Sequence, residues 1–399
     1  MEVSFSELVL HDGKVPPHLL YYMKRLSKAI LSYIHEVYGP DEIVKRVADP
    51  FWFQAFNNVI GMDWDSSGST TVVIYMLKSF ANASNFKDLG IATLGGKGGD
   101  SRAVVKELEV LQRSGVDVEV LEKVSRLGAK IDGVALQDGY KLYIHSIIVS
   151  ESGVWTIVQQ GMNAENLLAR RYHIHGAEEI KLAGDPHSGI ACNRVGTALN
   201  LVDVEASKSR KTIVDLVNFS NVQTLIRDIA MVNRMLRGDK GLETWLDSKN
   251  SVRSAIAQSI RLQVKENSNM FFYKPITNLN WIEKVLRRLS EIKPESFEEL
   301  LLLKGVGPES IRALALVAAV IYNAKPSFKD PVTHPVDPFL YSYAHGGKDG
   351  VPYPIKVELM KRTIEFLEET LQEARIEEKI RRKALERLYK LFNKIISES

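Results

Sequence analysis

Cysteine is almost missing from this sequence. Cys192 is the only one in 399 residues, which excludes an intrachain disulfide and any zinc site built on paired thiolates. A buried thiol is the reading left for it. Also missing are an apolar run long enough to cross a bilayer and the charged-then-apolar start of a secretory signal, so a cytoplasmic protein is expected. Nor does one sign of charge dominate: 52 Lys and Arg face 49 Asp and Glu, for a net charge of +3. So balanced a chain exerts no global pull on a polyanion, and any nucleic-acid surface must be local. The remaining composition, 45% hydrophobic and 25% charged, is that of a folded protein long enough for two or three cores.

The most specific stretch is residues 297–322, FEELLLLKGVGPESIRALALVAAVIY. Its apolar start predicts a short helix to Leu303, Gly305-Val306-Gly307 turns the chain, and Pro308 suits the first position of a second, buried helix. Glycines allow close backbone approach, and the N–H groups at a helix start favour an anion. Val306 would anchor the turn, while Lys304 and Arg312 would add cationic contacts to phosphate. The pattern resembles the helix-hairpin-helix DNA-binding motif of repair nucleases, DNA glycosylases and ligases. That resemblance implies DNA, single- or double-stranded, as the partner. Two features depart from it: Glu309 puts a carboxylate beside the expected phosphate, and no lysine stands where bifunctional glycosylases carry their nucleophile. The bland alternative is a helical hairpin turned by glycines.

Upstream, Leu19, Leu20, Met23, Leu26, Ile30, Tyr33 and Ile34 recur at helical spacing, and Pro50 opens an aromatic helix. Asp63 and Asp65 precede another helix, either as charges near its N-terminus or as ligands of a divalent cation. Leu89 to Leu94 reads as a strand running into Gly95-Gly96-Lys97-Gly98-Gly99-Asp100-Ser101-Arg102 and a helix from Ala103 to Leu111. Lys97 and Arg102 are placed to meet a phosphate in that glycine loop, although its spacing is not that of a Walker A motif.

Tyr140 to Val149 and Val154 to Gln160 alternate as strands around Ser152-Gly153, a hairpin signal. A two-residue turn would set His145 opposite Gln160, with Tyr143 on the face of His145 and Asp132 and Asp138 at the entrance. Asp132, Asp138, His145 and Gln160 are therefore the candidate catalytic cluster, with Asp132 and Asp138 as ligands for Mg or Mn. The order of carboxylate, hairpin and glutamine loosely resembles restriction-type nuclease cores, but no lysine follows Gln160 and that fold is not expected. In Arg170-Arg171-Tyr172-His173-Ile174-His175, cations interleaved with an aromatic can bind phosphate and stack on a base, and the histidines could share a metal. Asp185-Pro186-His187 follows.

From Ala206 the strand signals vanish. The fold expected is α+β and mainly helical: residues 1–205 form a domain with the hairpin, glycine loop and active site, and residues 206–399 a helical domain with the hairpin motif and a terminal helix pair. Gly346-Gly347-Lys348-Asp349 echoes the first glycine loop. Asp330 and Asp337, 25 and 32 residues beyond Gly305, stand near where helix-hairpin-helix glycosylases place a catalytic aspartate.

The strings DPFWFQAF, GMDWDSSGSTT, GGKGGDSR, SRLGAKIDGVALQDGYKLY, IVQQGMN, LLLLKGVGPESIRALALVA and AHGGKDG resemble an archaeal and bacterial family catalogued as a domain of unknown function, number seven-six-three, over nearly the whole chain. The function expected from the motifs is DNA processing of repair type, foremost as a hydrolytic nuclease. One alternative is a glycosylase using Asp330 or Asp337, and another is a DNA- or RNA-binding protein without turnover.

Overall fold

The computed structural model describes residues 15–62, 67–177, 182–192, 194–237, 276–334, 345 and 354–373. Strands β1 (Ile91–Lys97), β2 (Leu136–Gln137), β3 (Lys141–Ser150), β4 (Trp155–Asn163), β5 (Leu168–Gly176), β6 (His187–Ala191), β7 (Thr197–Asn200) and β8 (Ser327–Lys329) form two antiparallel sheets. One has five strands in the order β1-β3-β4-β5-β6, and the other three in the order β2-β7-β8. With the helices around them this is an α+β fold.

Helices α1 (Pro17–Tyr38), α2 (Pro40–Val47), α3 (Pro50–Val59) and α4 (Gly68–Phe80) cover one face of the large sheet. Their Met23, Leu26, Ile43, Phe53 and Leu77 share a core with Ile91, Ile148 and Val158. After the short α5 (Phe86–Leu89), helices α6 (Val104–Leu111) and α7 (Val118–Lys130) cover the other face. That core joins Leu108, Val124 and Leu127 to Ile147, Ile157 and Ile190, and runs on into Ile213, Leu286 and Leu314. Those last residues lie on α8 (Ser207–Phe219), α10 (Leu279–Ile292) and α12 (Pro308–Tyr322); α9 (Val222–Arg237), α11 (Phe297–Leu302) and α13 (Val357–Glu373) complete the described helices. The polar run Ser207–Lys211 opens α8.

A sheet covered on both faces must bury whatever its strands carry. Trp155 through Gly161 are all buried, as are Arg170, Arg171 and His173. This corrects the reading of Arg170-Arg171 as an exposed nucleic-acid contact.

The hairpin register also differs from expectation. Ser150 N–H bonds to Val154 O at 2.9 Å, closing a three-residue loop, Glu151 to Gly153, with Gly153 at φ 83°, the left-handed position such loops need. One added loop residue moves every pair by one: His145 faces Gln159, and Gln160 faces Ile144. A bulge between Leu142 and Ile144 then turns Tyr143 to the face opposite His145.

Strand β1 extends three residues beyond the expected Leu94. Gly95 and Gly96 belong to the sheet, opposite Ser146 and His145, and only Gly98 to Arg102 form the turn. Lys78 Nζ donates to Gly95 O at 2.8 Å and Glu107 accepts from Gly95 N–H at 2.6 Å, with Lys78 and Glu107 themselves paired. A Cβ on Gly95, at φ +84°, would lie 2.4 Å from His145 O, whereas Gly98, at φ +62°, has open space.

Asp63, Asp65, Asp337 and the second glycine loop lie outside the described residues, as do the helical stretches expected within 242–264 and the far part of the terminal pair.

Gly95→Ala is expected to lower the unfolding free energy by roughly 2–3 kcal/mol, through overlap with backbone as well as the strained φ. Gly98→Ala bears the strained φ alone and should lose only about 1 kcal/mol. Urea melts of the two variants check this; equal losses would mean that β1 does not seat against His145.

Candidate functional site

Helix α7 ends in a π-helical turn, Ile131–Ala135, closed by the Leu136 N–H bond to Ile131 O. The wide turn offsets the side chains from the α7 spacing and sets Asp132 beneath the sheet. Asp132 Oδ1 accepts from His187 Nε2 at 2.6 Å, and Oδ2 accepts from Gln159 Nε2. The same amide nitrogen donates to Gly128 O at 3.1 Å. Two acceptors on one side of the amide fix its orientation, so Gln159 Oε1 faces His145 Nδ1, at 2.9 Å. Nδ1 must then carry the proton. Nε2 is left as an acceptor, 2.7 Å from Ser125 Oγ, whose hydroxyl donates to it.

The result is one hydrogen-bonded file: Ser125, His145, Gln159, Asp132, His187. It lies under a row of facing residues, Gly96, His145, Gln159, Tyr172 and Ile190, one from each strand. At the β1 end, Gly96 has no side chain to cover the row, and Lys97 to Asp100 are exposed. Burial pushes the His145 pKa below its ordinary value, against the upward pull of the Gln159 bond. A neutral imidazole directing its free nitrogen at a hydroxyl is a general-base arrangement.

Asp138 does not join this file. Its Oδ2 accepts from Arg170 Nη1 at 2.8 Å and from Tyr172 Oη at 2.7 Å. Arg170 also forks onto Asp330, at 3.0 and 2.9 Å, and its guanidinium lies 4.5 Å from the Tyr140 ring centroid. Tyr140 Oη in turn lies 3.4 Å from Cys192 Sγ, and that thiol is buried, as expected. Burial opposes the charge on Arg170, but Asp138 and Asp330 hold its pKa well above the usual value. The ring of Tyr172, 6.2 Å from that of His187, stands between the ionic group and the file.

Gln160 lies on the opposite face. It accepts from Thr70 Oγ1 and donates to Tyr143 Oη and, at 2.8 Å, to Ser67 O. Arg171 shares that face, donating to His173 Nε2 at 2.9 Å, while His173 Nδ1 donates to Val47 O at 2.8 Å. With both nitrogens engaged, His173 is not placed to share a metal with His175. The expected catalytic quartet is thus divided among three places: Asp132 and His145 in the file, Asp138 with Arg170, and Gln160 behind the sheet. Asp132 and Asp138 stand in separate hydrogen-bonded groups, the first with His187 and Gln159 and the second with Arg170 and Tyr172. Among the described residues no three His, Cys, Asp or Glu side chains are grouped to hold a metal.

Lys304, Lys97 and Arg102 are exposed. Arg312 is only 5% exposed and points to Gln137 Oε1, so it is not a surface cation. Gly305, at φ 95°, and Gly307 flank Val306, which is buried as expected. Lys130 Nζ donates to Val306 O at 2.6 Å and Gln137 Nε2 to Pro308 O at 2.9 Å. Glu309 turns aside: its Oε1 accepts from Thr277 N–H at 2.7 Å, Thr277 Oγ1 at 2.9 Å and Asn278 N–H. Burial raises its pKa, but these bonds together outweigh that and hold it low.

A family profile described as "Protein of unknown function (DUF763)" matches residues 4–355. The chain belongs to that family. No curated protein and no solved structure matches this family member. No helix among its described residues is long and apolar enough to cross a membrane.

Gln159, His187 and Ser125 are the members of the file that sequence reasoning missed. A three-residue loop in the hairpin count would have selected Gln159; His187 stood in a noted segment without a partner to give it meaning, and Ser125 carried no signal.

Arg170→Met would leave Asp138 and Asp330 buried without their cation and should cost about 3–5 kcal/mol in urea melts. A loss below 1 kcal/mol would show the group to be open to water. His145 and His173 both have pKa values held below 6.5 by burial, so the unfolded chain binds the extra protons. Their contribution to stability is full above about pH 6.5 and is lost as pH falls toward the folded values. The melting temperature should hold steady at neutral pH and drop below roughly pH 6.5, and a flat profile to pH 5 would contradict neutral buried imidazoles.

Proposed function

We propose that this protein binds and processes DNA in the manner of a repair enzyme, as a hydrolase, gripping the backbone with a helix-hairpin-helix formed by α11, the Leu303–Gly307 turn and α12. One observation carries the reading: the turn presents Lys304 and two glycines at the start of a fifteen-residue helix, while Glu309 is drawn off to Thr277 and Asn278. The carboxylate that opposes phosphate there is thereby matched by donors of its own chain, which lessens the opposition. Lys97 and Arg102, exposed at the glycine turn beside His145, would meet a second phosphate. Residues 206–399 thus supply the main grip, and 1–205 the chemistry and the second phosphate contact.

Lys130 joins the two parts, since it holds Val306 O and lies two residues before Asp132. In this reading His145 Nε2 takes the proton of an attacking water as its oxygen bonds to phosphorus and passes that proton to the departing oxygen as the old P–O bond breaks, while Gln159 and Asp132 keep the proton of the resting imidazole on Nδ1.

A second reading, binding without turnover, draws on the burial of the file, whose polar atoms already have protein partners. The glycosylase reading loses support at Asp330, whose oxygens are held by Arg170 and by Gly196 N–H at 2.7 Å.

The test is incubation with labelled single- and double-stranded DNA, undamaged or carrying uracil or oxidised guanine, in Mg²⁺, Mn²⁺ or chelator. Strand cleavage that falls roughly a hundredfold or more in both His145→Ala and Asp132→Asn is expected. Cleavage indifferent to both substitutions would reject the file as its centre, and salt-sensitive binding without any product would leave the second reading.

A further inference from the structure

The solvent face of α10 has no role in the scheme above. Its inner face, Ile282, Val285, Leu286 and Leu289, is buried. Outward stand Trp281, Lys284 and Arg288, at spacings of three and four residues and so on one stripe. Trp281 is 50% exposed, and Lys284 and Arg288 are exposed as well. A large ring left in water at the end of a cationic stripe is not needed for the core, and it is the combination that stacks a base and neutralises its phosphates.

The same helix runs beside the glycine turn. A Cβ on Gly305 would lie 3.3 Å from Val285 Cγ2, and Glu309 holds Thr277 and Asn278 at the helix start. Trp281 sits on the turn between these two contacts, one helical turn before Val285. Next to it, at the N-terminal end of α10, is a cavity of about 360 Å³ whose lining includes Asn233, Arg234, Thr277, Asn278 and Asn280. That volume lies within the range of small-molecule sites. Asn233 fixes one wall by bonding both the N–H and the C=O of Ile276, each at 2.8 Å, while Arg234 and Asn280 are exposed at the rim.

We propose that the Trp281 stripe and this cavity bind an unpaired nucleotide next to the backbone held at Gly305–Gly307, so that the preferred nucleic acid has single-stranded or flipped-out bases. Trp281 can stack only on a base whose face is free, which paired bases inside a duplex do not offer. The guanidinium of Arg234 and the amide of Asn280 suit a phosphate and a base edge respectively. This inference rests on the reading of the hairpin as a nucleic-acid grip.

The test is fluorescence anisotropy of the full-length protein with a fluorescein-labelled oligothymidylate and a blunt duplex of equal length, comparing wild type, Trp281→Ala, Trp281→Phe and Lys304→Glu. Trp281→Ala should weaken single-strand binding roughly tenfold or more while leaving duplex binding within about twofold, and Trp281→Phe should restore most of the loss. Lys304→Glu should weaken both. Duplex binding that depends on Lys304, with single-strand binding indifferent to Trp281, would overturn this inference and leave the grip intact. Binding to neither DNA would overturn both.

Discussion

A buried carboxylate must find donors for both oxygens or give up its charge, and Asp132 meets that demand with His187 on one side and Gln159 on the other. Much else is fixed by this. The Gln159 amide can point only one way, the His145 proton can sit only on Nδ1, and the large sheet can be covered on both faces although it carries glutamine, histidine and arginine. Each such group left without a partner would cost about 1–3 kcal/mol. The π turn is the local deformation that delivers Asp132 to this position.

A second constraint binds the hairpin turn to the same segment. Lys130 and Gln137 reach Val306 O and Pro308 O from either side of Asp132 in the sequence, so the turn and the file share one rigid support. In the proposed function this common support relates the place where a backbone is held to the place where it is acted on. The exposed stripe of α10 adds a third surface to the same group, beside Gly305.

What could be read from the sequence was local. The turn at Gly305–Gly307, the α6 and α7 stretches, the strands either side of Ser152-Gly153 and the grouping of Asp132 with His145 all followed from short-range pattern. Pairings over long sequence distance did not. Arg170 looked like a surface cation because its partners, Asp138 and Asp330, lie far away in the sequence and on both sides of it, and Arg312 was hidden in the same way by Gln137. The expected pairing of His145 with Gln160 failed for a smaller reason, since a two-residue and a three-residue loop fit the same letters and only backbone closure at Ser150 and Val154 separates them. Gly95 and Gly96 were read as loop because glycine signals turns, yet here their missing side chains let β1 press against His145 and α6.

Hydrogen exchange, measured residue by residue on the full chain with and without a DNA strand bearing a single-stranded tail, tests the central claim most directly. Slowed exchange at residues 303–310, with further slowing in the π turn at 131–136, is the result predicted if the turn holds the backbone and shares its support with Asp132. An unchanged turn, with protection confined to other surfaces or absent altogether, would contradict the account.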